Sequence, residues 1–72
     1  MNLKINGEER VINFKDSQPS LAMLIKEMGH HPQLIVVEFN GEILDQKKWT
    51  SQELKSGDTL EIVTIVGGGS TY

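Results

Sequence analysis

The chain contains no cysteine. Disulfides and thiolate zinc sites therefore cannot reinforce its core, and thiolate catalysis by the chain itself is excluded. Basic residues are few and scattered. Seven Lys and Arg stand against ten Asp and Glu, a formal net charge of −3, and no basic run exceeds Lys47-Lys48. Non-specific nucleic-acid binding relies on Lys and Arg displacing counterions from phosphates, so this balance argues against a nucleic-acid partner. Long apolar runs are also missing. Nothing approaches the roughly 20 apolar residues of a membrane helix, and Met1-Asn2-Leu3-Lys4-Ile5-Asn6 has no apolar stretch long enough for a signal peptide. These absences predict one soluble, cytoplasmic domain. At 72 residues it is near the size where a single core gives only marginal stability.

What is present reads as short strands around one helix. Leu3 and Ile5 alternate with Asn2, Lys4 and Asn6, the period of two expected of a half-buried strand. Asn6-Gly7 is a turn signal because both residues tolerate positive φ. A second strand is expected near Arg10–Phe14, with Ile12 and Phe14 on one face. Ser17 and Ser20 are N-cap candidates, and Pro19 suits a first helical turn. Leu21, Leu24, Ile25 and Met28 then recur at the spacing of one apolar helix face. Gly29 is a natural helix stop, and Pro32 limits continuation. So short a helix depends on packing its apolar face against a sheet.

Leu34–Asn40 has the nearly continuous apolar character of a buried central strand, with Glu38 on the face opposite Val37 and Phe39. Asn40-Gly41 is a second turn signal, followed by a short strand around Glu42–Leu44. Asp45–Lys55 is polar apart from Trp49 and Leu54, which predicts an irregular crossover pinned to the core by those two side chains. Trp49 reads as a core anchor, since its indole supplies much of the aromatic area of a chain with so few aromatics. Ser56-Gly57-Asp58 is the last turn before a final strand from Thr59, and that strand runs directly into Gly67-Gly68-Gly69. The order is strand, strand, helix, strand, short strand, crossover, strand. It suggests an α+β domain of β-grasp type: a mixed sheet of four to five strands, one main helix across one face, and the last strand in the middle. Residues 1–66 are expected to form this domain and 67–72 a flexible glycine-rich tail.

The chain resembles the sulfur carriers of thiamin biosynthesis, the ThiS-type members of the ubiquitin-like proteins. The resemblance covers nearly its whole length. Its more particular residues are Val36-Val37-Glu38-Phe39-Asn40-Gly41-Glu42-Ile43-Leu44 and Trp49. Its most specific part is Leu54-x-x-Gly57-Asp58-x-Leu60-Glu61-Ile62-Val63, leading into Val66-Gly67-Gly68-Gly69. The resemblance implies a protein that is not itself an enzyme and binds no cofactor. Its C-terminal glycine carboxylate is adenylated with ATP by an adenylating (ThiF-type) enzyme. Sulfur relayed from a cysteine desulfurase displaces AMP, and the resulting thiocarboxylate donates sulfur to a thiazole synthase (ThiG-type).

The family's terminal Gly-Gly maps onto Gly68 and Gly69. Gly69 would carry the sulfur, while Gly67 and Gly68 would form the slender approach into a partner's active site, where a side chain would obstruct the channel. The chain departs from the family in one respect: Ser70, Thr71 and Tyr72 follow Gly69. With them attached, Gly69 has an amide and not a carboxylate. Removal by a protease, a related enzyme that accepts a different end, or residues added for expression would each account for them.

In the final strand Leu60, Ile62, Thr64 and Val66 share one face, and Glu61, Val63 and Ile65 share the other. With Leu60 and Ile62 in the core, Val63 and Ile65 emerge opposite the helix, as a docking patch beside the tail. Edge contacts with neighbouring strands are the plainer reading of the same pair. Glu38, Asp58 and Glu61 read as a solvated acidic face able to complement a basic partner. His30-His31 invites a metal reading, but adjacent residues rarely converge on one ion and no third ligand accompanies them. They fit the loop after the helix. The serines show no pairing with histidine and carboxylate suited to nucleophilic catalysis. Two other functions share these features. One is the small subunit of molybdopterin synthase, whose chains are usually longer. The other is a non-conjugating β-grasp interaction domain.

Overall fold

The computed structural model describes residues 1–65. Five strands form one mixed sheet: β1 Asn2–Ile5, β2 Glu8–Val11, β3 Ile35–Phe39, β4 Glu42–Ile43 and β5 Thr59–Thr64. Their spatial order is β2-β1-β5-β3-β4, so the last strand lies in the centre. It runs parallel to β1 and antiparallel to β3. One helix, α1 (Leu21–Glu27), supplies Leu21, Leu24 and Ile25 to the core. They meet Leu3 and Ile5 of β1, Ile35 and Val37 of β3, and Leu60 and Ile62 of β5. Trp49 and Leu54 complete the core from the crossover, as their isolation in a polar stretch predicts.

Both hairpins turn on two residues. Asn6 and Gly7 have φ of +52° and +83°, and Asn40 and Gly41 have +51° and +90°. Two successive positive φ values are the signature of a type I′ turn, whose twist suits the flanking strands. The tight first turn places Glu8 directly opposite Ile5. Strand β2 is therefore Glu8–Val11 and not the expected Arg10–Phe14. All four of its residues are exposed, so hydrophobic alternation was no guide to its register. Ile12 and Phe14 instead pack on the core from the segment after the strand.

Helix α1 begins at Ser20, whose hydroxyl accepts from the Met23 N–H at 3.3 Å. The crossover satisfies the two preceding N–H groups: Leu21 donates to the Gln52 carbonyl at 2.8 Å and Ala22 to that of Trp49 at 3.1 Å. These are the donors that a helix start leaves without intrahelical partners. Pro19 lies just before the cap and not in the first turn; its carbonyl accepts from Leu54 N–H at 2.9 Å. At the other end Gly29 has φ of +78°. Its N–H donates to the Lys26 carbonyl and that of His30 to the Ile25 carbonyl, the paired bonds of a Schellman stop. His30 thus belongs to the helix terminus, and a short 3-10 turn, Pro32–Leu34, leads into β3. In the crossover the Trp49 indole N–H donates to the Leu44 carbonyl at 3.0 Å.

Candidate functional site

Two asparagines hold the central strand from either side. The parallel register of β1 and β5 stops at Ile5 opposite Leu60. Beyond it the Asn6 side chain takes over: its Oδ1 accepts from the Ile62 N–H at 2.7 Å, and its Nδ2 donates to the Ile62 carbonyl at 3.3 Å. One amide side chain so reproduces the donor and acceptor of a strand neighbour. On the β3 side, Asn40 Oδ1 accepts from Thr59 N–H at 2.9 Å and its own N–H donates to the Thr59 carbonyl at 2.8 Å. Asn40 Nδ2 also donates to Asp58 at 3.1 Å, and the other Asp58 oxygen accepts from Lys55 N–H at 2.8 Å. The Asn-Gly and Gly-Asp signals are therefore parts of the frame that holds β5.

Strand β5 is two-sided. Leu60 and Ile62 are buried, while Val63 is 59% and Ile65 48% exposed. Both expected docking residues thus stand on the sheet face away from the helix. The structure adds neighbours that the linear reading missed. Val36 lies directly opposite Val63, and Ile43 lies opposite Glu38 on the same face. Ile43 is 73% exposed. Leu34, also exposed, adjoins Ile65, whose N–H donates to its carbonyl at 2.6 Å. Val36 was legible only as part of an apolar run; its half-buried state and its face follow from the pairing of β3 with β5. Val36, Val63, Leu34 and Ile65 thus lie beside one another on the sheet face away from the helix.

The other residues singled out in the sequence fall elsewhere. Gly67, Gly68 and Gly69, and Ser70–Tyr72 after them, lie outside the described residues. Among the described residues no group of three or more His, Cys, Asp or Glu is placed to hold a metal ion, and no polar or charged side chain is buried. No helix among them is long and apolar enough to cross a membrane. What the described residues contribute is a shaped frame and an exposed face.

A five-stranded mixed sheet with one helix across it and its last strand central is a β-grasp domain, the class to which ubiquitin-like carriers belong. The chain is a member of the ThiS family, whose model matches residues 3–69. Its fold is similar to the crystal structure of a thiamine biosynthesis protein (ThiS) from Geobacter metallireducens. The TM-score is 0.80 at 27% identity, over 96% of this chain and all of that one. The sulfur carrier protein ThiS of Bacillus subtilis is 30% identical over 67 residues, covering 93% of this chain and 98% of the relative. A thiazole synthase from Paramagnetospirillum magneticum is 41% identical over 70 residues, 97% of this chain. The chain spans only 21% of that relative's length. The family defines a small sulfur carrier protein, a molecule acted upon and not a catalyst.

Proposed function

We propose that this carrier works through the carboxyl group of Gly69. An adenylating enzyme joins that carboxylate to the α-phosphate of ATP, releasing pyrophosphate and leaving an acyl-adenylate. The outer sulfur of a protein persulfide charged by a cysteine desulfurase attacks the acyl carbon and displaces AMP. A thiol then reduces the resulting acyl disulfide, and the thiocarboxylate so released delivers its sulfur to a thiazole synthase. Gly67 and Gly68 thread the partner's channel, and Val63 and Ile65 dock on the surface beside it. The observation that carries this reading is that the family match runs through the glycines and ends at Gly69. The long thiazole synthase relative supports the partnership, because it contains a stretch similar to nearly this whole chain. Joining carrier and synthase in one polypeptide raises their effective concentration. The thiamine names among the relatives favour thiazole synthesis over molybdopterin synthesis.

The chemistry requires a free carboxylate on Gly69, so the Gly69–Ser70 peptide bond must be open in the working form. The test compares chains ending at Gly69 and at Tyr72, each incubated with ATP and the adenylating enzyme of the same organism. Pyrophosphate release is expected from the first alone. Release from neither would support a non-conjugating interaction domain, and equal release from both would remove Gly69 from its role. Val63→Asp is expected to weaken binding to the adenylating enzyme about ten-fold or more while circular dichroism stays unchanged, since it places a charge where apolar contact is made. Unaltered binding by a folded variant would remove the docking face from the reading.

A further inference from the structure

The outer sheet face brings two carboxylates together. Glu38 on β3 lies directly opposite Glu61 on β5, and Ile43 on β4 flanks Glu38 on its other side. One step nearer the tail stands the pair Val36 and Val63. Opposed residues on one face of an antiparallel pair hold their Cβ atoms about 4.5–5.5 Å apart, and like charges placed so destabilise the sheet. The strands offer little relief. Their basic residues are Lys4 and Arg10: Arg10 lies on the other face, and Lys4, opposite Glu9 and Thr59, is only a diagonal neighbour of Glu61 and stands two strands away from Glu38. The domain thus retains an acidic pair against an apolar row, at a cost to its own folding.

We infer that this face receives a protein partner that presents an arginine within an apolar contact, its guanidinium bridging Glu38 and Glu61. The inference rests on the reading above, in which the Val63 face meets the adenylating enzyme. A guanidinium is planar and offers five donors, enough to serve two carboxylates at once. A lysine ammonium is a strongly hydrated point charge and loses more on entering an apolar ring. Val36, Val63 and Ile43 exclude water around the charges, which strengthens their attraction to the incoming cation. A second copy of this chain is a poor occupant, because a symmetric dimer through this face would gather four carboxylates between chains of net charge −3.

The test uses the chain ending at Gly69 and the adenylating enzyme from the same organism. Dissociation constants are measured by calorimetry for wild type, Glu38→Gln, Glu61→Gln, the double variant and Val63→Asp, and denaturation midpoints for the same set. The double variant is expected to bind at least ten-fold more weakly while its midpoint equals or exceeds that of wild type. Opposite effects on binding and stability are what a merely structural pair would not produce. A double variant that binds within two-fold of wild type, beside a weakened Val63→Asp, overturns the bridging cation and leaves the docking face standing. A midpoint below wild type shows carboxylates that hold the fold, and overturns it as well. Unchanged binding by Val63→Asp removes the docking face itself, and the inference falls with it.

Discussion

Replacing Asn6 separates two contributions that one residue makes to the central strand. Its φ of +52° is a left-handed conformation, and its side chain bonds both the N–H and the carbonyl of Ile62, at 2.7 and 3.3 Å. Alanine forfeits both. The left-handed backbone costs a residue with a Cβ roughly 1–2 kcal/mol, and an unpaired, partly buried N–H costs about 1–3 kcal/mol. Allowing for partial access of water to Ile62, Asn6→Ala is expected to lose about 3 kcal/mol. Glycine restores the backbone but not the bonds, so Asn6→Gly is expected to lose about 2 kcal/mol. Aspartate keeps an acceptor for the shorter bond and sets a carboxylate oxygen against the Ile62 carbonyl, for a loss of about 1 kcal/mol.

A domain of this size has roughly 4–11 kcal/mol of stability, so the alanine variant loses a large share. Its melting temperature is expected to fall by roughly 12–24 °C. Denaturant unfolding followed by circular dichroism gives the ranking, and hydrogen exchange at the Ile62 amide locates it. The expected order of stability is Asn, Asp, Gly, Ala. Glycine matching wild type would refute the side-chain bonds as a source of stability. Glycine and alanine falling together would refute the backbone argument.

Two further outcomes test the frame around the helix. Ser20→Ala removes the acceptor for the Met23 N–H and is expected to cost about 1 kcal/mol by denaturant unfolding, at the lower end because that bond is exposed. Trp49→Phe leaves the Leu44 carbonyl without its indole donor and opens space in the core, for an expected loss of about 2 kcal/mol. A loss under 0.5 kcal/mol would show that the crossover is not anchored by Trp49.

Much of the site was legible because it is local. The alternation of Leu60 and Ile62 with Glu61 and Val63 assigns the two faces of β5 without any knowledge of its neighbours. Asn6-Gly7 and Asn40-Gly41 announce turns for a reason confined to their own backbones. Strand β2 starts two residues before the expected Arg10 and ends three before Phe14, because an edge strand exposed on both faces carries no burial pattern to read. Ile43 escaped notice for a similar cause: a two-residue edge strand is too short to show alternation.

By itself, then, the sequence determined the elements, the buried face of each periodic segment, the two tight turns and the glycine run that ends the family match. All of these depend on residues within a few positions of one another. Tertiary structure alone decided which residues stand opposite which. Asn6 and Ile62 are 56 positions apart, yet one side chain completes the other's backbone pairing. The opposition of Glu38 to Glu61 and of Val36 to Val63 is equally a matter of strand register. A period of two tells which face a side chain joins; only pairing across strands tells what it meets there.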